Sequence, residues 1–492
     1  MLLLAMLCMQ TGCKKQSEPV SAANDGRQET DDYERRRQEL TKNKDSSQKL
    51  SEKELKAEEK LTSCKQELID SYGGYTFFPY DMPTLNDTRL TGSSLYALCE
   101  KMPKGADLRS QDCTGLSMER LLMLISDRTD FHVCLDDGFC YGYMYDADIG
   151  PFPENSIMLK EGMENGRLSD ARLMDMWTLR TLTEFPDPGT KLEKVRVQTD
   201  CINLDEKLVK SIYKETFLNY INENVSLVEI RLSYTADDEK NRRITKLVRD
   251  AYYEAKKKSP DFTVRIIAVS DKDIELDKDE VKGALESAMK LREDIKDESD
   301  KSAAKHFIIG FDIAGTEDGN RPLADFVKML SDDKIKDSGL KLFLSAGESL
   351  AAENTNLADA YLLGAARVGH GLNLSRFPEM IDKYKQDGVC LEICPISNCR
   401  QGYTSDLRLH PAVQYIRNGN PVVLCSDKAR YTEYNALADD YFAAVMCWDL
   451  GLADLKQLAK NSIKYSGLPD EERKALEEKW ENDWDSFIDD MQ

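Results

Sequence analysis

Leu340-Lys341-Leu342-Phe343-Leu344-Ser345-Ala346-Gly347-Glu348 is an apolar run that ends in a polar turn, and its shape recurs twice downstream. The repeats are Ala366-Arg367-Val368-Gly369-His370-Gly371 and Pro421-Val422-Val423-Leu424-Cys425-Ser426-Asp427-Lys428. Each sets charged or hydrogen-bonding groups where a buried strand stops and a loop begins. A parallel α/β barrel keeps its chemistry at that end of its strands.

Working outward, further strands are predicted at Ala106 to Asp112, Ser226 to Ser233, Phe262 to Ser270, His306 to Ala314 and Gly388 to Ile393. With Leu340 to Ser345, Ala366 to Gly369 and Pro421 to Ser426 they complete the strand set of a (β/α)8 barrel. Helical stretches rich in Lys, Glu, Leu and Ala separate them, among them Asp238 to Lys258, Glu280 to Asp297 and Pro322 to Leu330. Strands alternating with helices in this way specify a parallel sheet. No G-x-G-x-x-G follows any of the strands, which excludes a dinucleotide fold of the usual kind.

The chain has 492 residues, 41% of them hydrophobic, and a net charge of −22. A barrel takes roughly 250 residues, so one such domain with attachments is expected. The negative charge argues against nucleic acid and against adsorption to anionic lipid, both of which select basic surfaces. Residues 1–13 read as an export signal: Leu2 to Met9 is apolar, and Cys13 stands where a lipoprotein would be acylated and anchored. The protein is therefore expected to be exported, secreted or held at a membrane through Cys13. No other stretch approaches the ~18 to 20 apolar residues of a membrane span.

Residues 14–60 are rich in Lys, Glu, Gln, Ser and Asp, and such a segment lacks the apolar surface to order itself, so a disordered charged tether is expected. Residues 61–105 form an N-terminal helical region, and residues 469–492 a final helix whose Trp480 and Trp484 pack on the outside of the barrel. With Cys8 and Cys13 in the leader, an odd number of the thirteen cysteines remains, so at least one thiol has no partner within the chain. Cys134 and Cys140 flank a polar loop and are the disulfide candidates, with buried free thiols as the other reading. Cys390, Cys394 and Cys399 lack the paired C-x-x-C spacing of a structural zinc site.

These motifs, together with Met102-Pro103-Lys104-Gly105, Phe311-Asp312-Ile313-Ala314-Gly315, Glu392-Ile393-Cys394-Pro395-Ile396-Ser397-Asn398, Ser405-Asp406-Leu407-Arg408 and Asn461-Ser462-Ile463-Lys464-Tyr465-Ser466, resemble the adenosine deaminase family. The likeness is closest to its secreted branch, the adenosine deaminase-related growth factors. The resemblance implies a first barrel strand in residues 106–116, an inserted receptor-binding-like subdomain in residues 117–205, the remainder of the barrel in residues 206–468, and a homodimer contact through the N-terminal helices.

The resemblance also implies a site. In the family two strand-one histidines, the histidine of His-Ala-Gly-Glu and the first aspartate of Ser-Asp-Asp-Pro hold zinc, and here those positions are Arg109, Gln111, Ser345 and Asp427. Arg is a permanent cation, and Gln and Ser oxygens are poor zinc ligands beside imidazole, so no cofactor is expected. Glu348 matches the glutamate that shuttles a proton to the purine ring, His370 the histidine that steadies the attacking hydroxide, and Gly315 the backbone contact to the base. Lys428 replaces the second aspartate of the motif and reverses the polarity of its contact with the ring.

The expectation is a pseudoenzyme that binds a purine nucleoside in the old pocket or a protein partner through residues 117–205, with Arg109 donating to Asp427. The alternative is an active purine nucleoside deaminase or related hydrolase with an altered metal site. His132, His306 and His410 match no ligand position and are read as structural.

Overall fold

The structure is a computed structural model that describes residues 32–37, 48–80, 88–136, 139–144, 152–179, 188–199, 201–202, 205–299, 305–432 and 437–492. The chain divides into two units, Met1–Asp45 and Ser46–Gln492. Residues 32–37, helical, are what is described of the first. The leader with Cys13, and residues 14–31 of the expected tether, lie outside the described residues.

The second unit is built on eight parallel strands: β1 (Gly105–Gln111), β2 (Val225–Ser233), β3 (Thr263–Asp271), β4 (Ile308–Ala314), β5 (Lys341–Ala346), β6 (Arg367–His370), β7 (Cys390–Ile393) and β8 (Val422–Leu424). They pair in sequence order. The ring closes by one bridge, Ser110 against Asp427, where the Asp427 amide donates to Arg109 O at 2.8 Å and the Gln111 amide donates to Asp427 O at 3.1 Å. Most strand residues are buried because helices cover the outer face and side chains fill the inside, hence the near-continuous apolar runs. The helices begin on local signals. Asp237, for example, accepts from the amides of Glu239 and Lys240 at the start of Asp238–Lys256.

The expected strands are all present, with ends shifted by a few residues. Residues 52–60 of the expected tether belong to a helix, Glu52–Ser71. Ser51 and Glu54 form a capping box at its start, and S-x-x-E is the signal that composition concealed. The spacing of Ala57, Leu61, Cys64 and Leu68 makes one buried face, whereas Leu55 is exposed. This helix packs on its own chain: Glu54 accepts from Trp484 Nε1 at 2.8 Å and pairs with Lys456. The last helix, Asp470–Asp490, lies against the barrel as expected, with Trp480 and Trp484 stacked at 5.2 Å and Trp480 Nε1 donating to Pro103 O.

The chain between β1 and β2 carries a second, smaller sheet among its described residues. Phe131–Asp136 lies between Phe139–Met144 and Ser156–Met158 in an antiparallel sheet, accompanied by helices Leu159–Glu164, Asp170–Trp177 and Pro188–Thr199. Cys134 is a buried free thiol, and the register sets it across from Tyr141, with Cys140 across from Leu135. The disulfide expectation is corrected accordingly.

Candidate active site

Below the site the barrel is filled with charge. Arg231 of β2 donates to Asp312 of β4 at 2.9 Å and to Glu392 of β7 at 2.5 Å, and Arg367 of β6 donates to Glu392 at 2.7 Å and pairs with Glu229 of β2. Arg109 joins this layer from β1, with Nη1 3.5 Å from Glu392 and 3.7 Å from Asp312. Alternation along a strand turns these residues inward. Burial opposes the charge of Glu392, but Arg231, Arg367 and Arg109 outweigh it and hold its carboxyl down to about 2.

Gly369 makes room for this arrangement, since a Cβ there would collide with Nη1 of Arg109. The first glycine of Gly369-His370-Gly371 therefore has a packing reason to be small.

At the C-terminal ends of the strands the structure brings together Glu348, His370 and Asp427. His370 and Asp427 take positive φ values of 67° and 55°, a strain that non-glycine residues carry mostly at functional sites. His370 Nδ1 lies 3.3 Å from Glu348 Oε1 and 3.2 Å from Asn398 Nδ2. Glu348 Oε1 also accepts from Gln401 Nε2 at 3.3 Å. Burial pushes the Glu348 carboxyl up to about 7, Lys428 pulling against it and Asp427 adding to it. Burial, helped by Arg109, pulls His370 well below its usual range, so the ring is neutral.

Asp427 sits among cations. Its Oδ2 accepts from Ser397 Oγ at 2.7 Å and from Lys428 Nζ at 2.8 Å, and its Oδ1 faces Arg109 Nε at 3.4 Å without a hydrogen bond. Burial opposes its charge, but Lys428 and Arg109 prevail and hold the carboxyl far below the usual carboxylate range. Ser345 is turned away from this group: its amide and hydroxyl both donate to Asp312 at 2.7 Å. Gln111 and Gly315 line the cavity above, about 1450 Å³, with Glu348, His370 and Lys428. Helix Pro188–Thr199 of the inserted segment supplies one wall through Leu192, Arg196 and Val197.

The remaining histidines are accounted for. His132 stacks on Phe152 at 3.6 Å, and His306 lies 2.8 Å from Lys296 Nζ. His410 is buried at 3.4 Å from Asn398 Oδ1, behind the site, where burial takes it down to about 3. Sequence reading did not single out Asn398, Gln401 or Ser397, although Ser397-Asn398 ends one of the quoted motifs. Spacing gives no signal for Asp312, which only the closed barrel brings under Ser345.

Ligand atoms of Glu348, His370 and Asp427 all lie within 4.8 Å of one another. A neutral imidazole and two carboxylates form a donor set that zinc accepts, and the unpartnered Oδ1 of Asp427 leaves an acceptor open. The set fits a cation, though only Asp427 belongs to the four positions inferred from resemblance.

A family model described as adenosine deaminase matches residues 171–482. Adenosine deaminase 2-A of Danio rerio is 29% identical over 469 residues, covering 89% of this chain and 90% of the relative. Among solved structures, arabidopsis ADAL complexed with IMP superposes with a TM-score of 0.57 at 16% identity, covering 79% of this chain and 99% of that one. A cog1816 amidohydrolase from Burkhoderia ambifaria with bound Zn does so with a TM-score of 0.52 at 16% identity, covering 81% and 94%.

The expectation of no cofactor is corrected: the chain matches the model of a family to which the resemblance assigns zinc, and the cluster of Glu348, His370 and Asp427 offers a metal its ligands. Among the described residues no helix is long and apolar enough to cross a membrane. With a family model matched across most of the barrel, the chain belongs to the adenosine deaminase family, in its growth-factor branch.

Proposed function

We propose that this protein is an exported purine-nucleoside-binding member of the family, in which deamination has been lost or much reduced. The observation that carries the reading is the state of Asp427, held by Lys428 at 2.8 Å and faced by Arg109 at 3.4 Å. Two side-chain cations occupy ground that the resemblance gives to ligands and to a second acid.

Zinc, when bound, lowers the pKa of its water and so supplies hydroxide at neutral pH; Glu348, His370 and Asp427 would hold it. Glu348 and His370 are, by resemblance, also the groups that move the proton and steady the hydroxide. A side chain engaged as a ligand is not free for that second task. Lys428 offers a donor to the purine where the family offers an acceptor. What remains supports binding: burial pushes the Glu348 carboxyl up to about 7, so in its protonated form it can donate a hydrogen bond to a ligand, and Gly315, the backbone contact to the base by resemblance, lines the same cavity. The segment between β1 and β2 supports a ligand role, since its Leu192, Arg196 and Val197 line the cavity.

A second reading, an active deaminase with an altered metal site, is favoured by one observation, the retained cluster itself. Calorimetry with adenosine and an inosine assay on the same zinc-loaded sample separate the two. Saturable binding without inosine supports the proposal; turnover at a rate typical of enzymes, 1 s⁻¹ or above, overturns it in favour of the second reading.

A further inference from the structure

Glu348 stands on an irregular loop. After β5, residues 347–355 belong to neither helix nor strand, so their backbone amides have no ladder to join and need other acceptors. Gly347 takes a left-handed φ of 72°, with no room for a side chain because Leu357 lies against it. The carboxyl that faces the cavity is thus carried by a segment that secondary structure does not fix.

One side chain answers this need. Glu317, from the loop after β4, has a side chain that is 4% exposed. Its Oε1 accepts from the Gly347 amide at 3.0 Å and from Asn356 Nδ2 at 2.8 Å; its Oε2 accepts from the Ser349 amide at 2.9 Å and from Asn354 Nδ2 at 2.7 Å. A carboxylate has about four lone-pair sites, and all are used. The two amides are those on either side of Glu348.

Lys272, just past the end of β3, has its ammonium 3.6 Å from Glu317 Oε1, and among the described residues that ammonium makes no hydrogen bond. It balances the charge without competing for the lone pairs. Burial opposes the Glu317 charge, but Lys272, the Ser349 and Gly347 amides and Asn356 keep its carboxyl below the usual range.

We infer that Glu317 is a positioning residue that clamps the Gly347–Ser349 backbone and thereby aims Glu348 into the cavity. The inference rests on the proposed reading only in taking Glu348 as a group that meets the ligand. The test uses the full chain with Glu317→Gln and Lys272→Met combined, so that no buried charge is stranded. Glu317→Asp, which keeps the charge but is too short to reach both amides, carries the same expectation should the double variant not fold.

Amide hydrogen exchange at Gly347 and Ser349 is expected to quicken at least tenfold. The adenosine dissociation constant is expected to rise about tenfold, as in Glu348→Ala, and adding Glu348→Ala to the clamp variant should cost less than a further twofold. A merely structural role would give additive losses. Unchanged exchange at the two amides, or additive losses, overturns the clamp. If the unaltered protein binds no adenosine, the functional reading fails, and the exchange rates alone decide the clamp.

Discussion

Arg109 Nε and Asp427 Oδ1 lie 3.4 Å apart with both side chains buried, across the seam where strand one meets strand eight. The same guanidinium stands between Glu392 and Asp312, so its removal would leave three buried carboxylates with less compensating charge. Burial opposes its ionisation, but these three acids hold its proton firmly. Breaking such a buried pair by removing one partner costs roughly 3 to 5 kcal/mol, whereas replacing both with apolar groups is often near neutral. Arg109→Ala should therefore lower the urea midpoint far more than Arg109→Met combined with Asp427→Leu. Unfolding of the single variant like the unaltered chain would show that the pair carries no such energy.

Zinc affinity should follow the cluster found in the structure rather than the family positions. Asp427→Asn and His370→Asn are each expected to weaken zinc at least tenfold in competition with a chromophoric chelator. Ser345→Ala should change little, because its hydroxyl is spent on Asp312. Arg109→Met should strengthen binding, since the guanidinium beside Asp427 repels a second cation. Weaker binding in Arg109→Met would show that the guanidinium organises the site instead of opposing a metal.

The barrel, the three motifs and the site-facing ends of the strands were legible because each strand is a short apolar run between polar turns, a pattern that survives without contacts. Two kinds of feature were not. The helix Glu52–Ser71 hides its buried face in Ala57 and Cys64 within a charged sequence, and its capping box was the only local clue. The clamp by Glu317 and the seat of Ser345 on Asp312 depend on groups some thirty positions apart that closure of the barrel brings together. The ligand cluster escapes for a related reason: the resemblance gives Glu348 to proton transfer and His370 to the attacking hydroxide, and only their distances to Asp427 reveal a second use.

Acid should destabilise the protein through His410 and Glu392. Burial keeps His410 neutral down to about 3 against an ordinary 6.5, so its contribution is complete above pH 6.5 and is lost as pH falls toward 3. Glu392 is held at about 2 against 4.5; its contribution is complete above pH 4.5 and is lost as pH falls toward 2. Between pH 6.5 and 4.5 His370, also held neutral by burial, adds to this loss, while Glu348, whose carboxyl burial raises to about 7, opposes it. The His410 contribution is therefore read as the difference in urea-unfolding stability between the unaltered chain and His410→Gln, which should widen as pH rises from 4.5 to 6.5. An unchanging difference across that range would contradict the assignment to His410.

The family positions can be refilled. Residues 109 and 111 alternate on β1 and so face the same way, residue 345 lies near the end of β5, and all three line the cavity beside Glu348 and His370. Arg109→His, Gln111→His and Ser345→His would place imidazoles there, and Lys428→Asp would restore the acid and free the Oδ2 of Asp427 from the ammonium at 2.8 Å. Arg231 still neutralises Asp312 and Glu392 once Arg109 is gone, so the lower layer is not stripped of all its positive charge. With zinc held mainly by histidines, Glu348 and His370 are released for proton transfer and hydroxide placement. The fourfold variant is expected to bind one equivalent of zinc more tightly than the unaltered chain and to convert adenosine to inosine, at least a hundredfold faster. Tight zinc without a gain in turnover would mean that the loss of activity lies elsewhere, in the cavity wall formed by the inserted segment or in the purine contacts. No gain in zinc affinity would mean that the backbone of β1 no longer presents positions 109 and 111 as the resemblance requires.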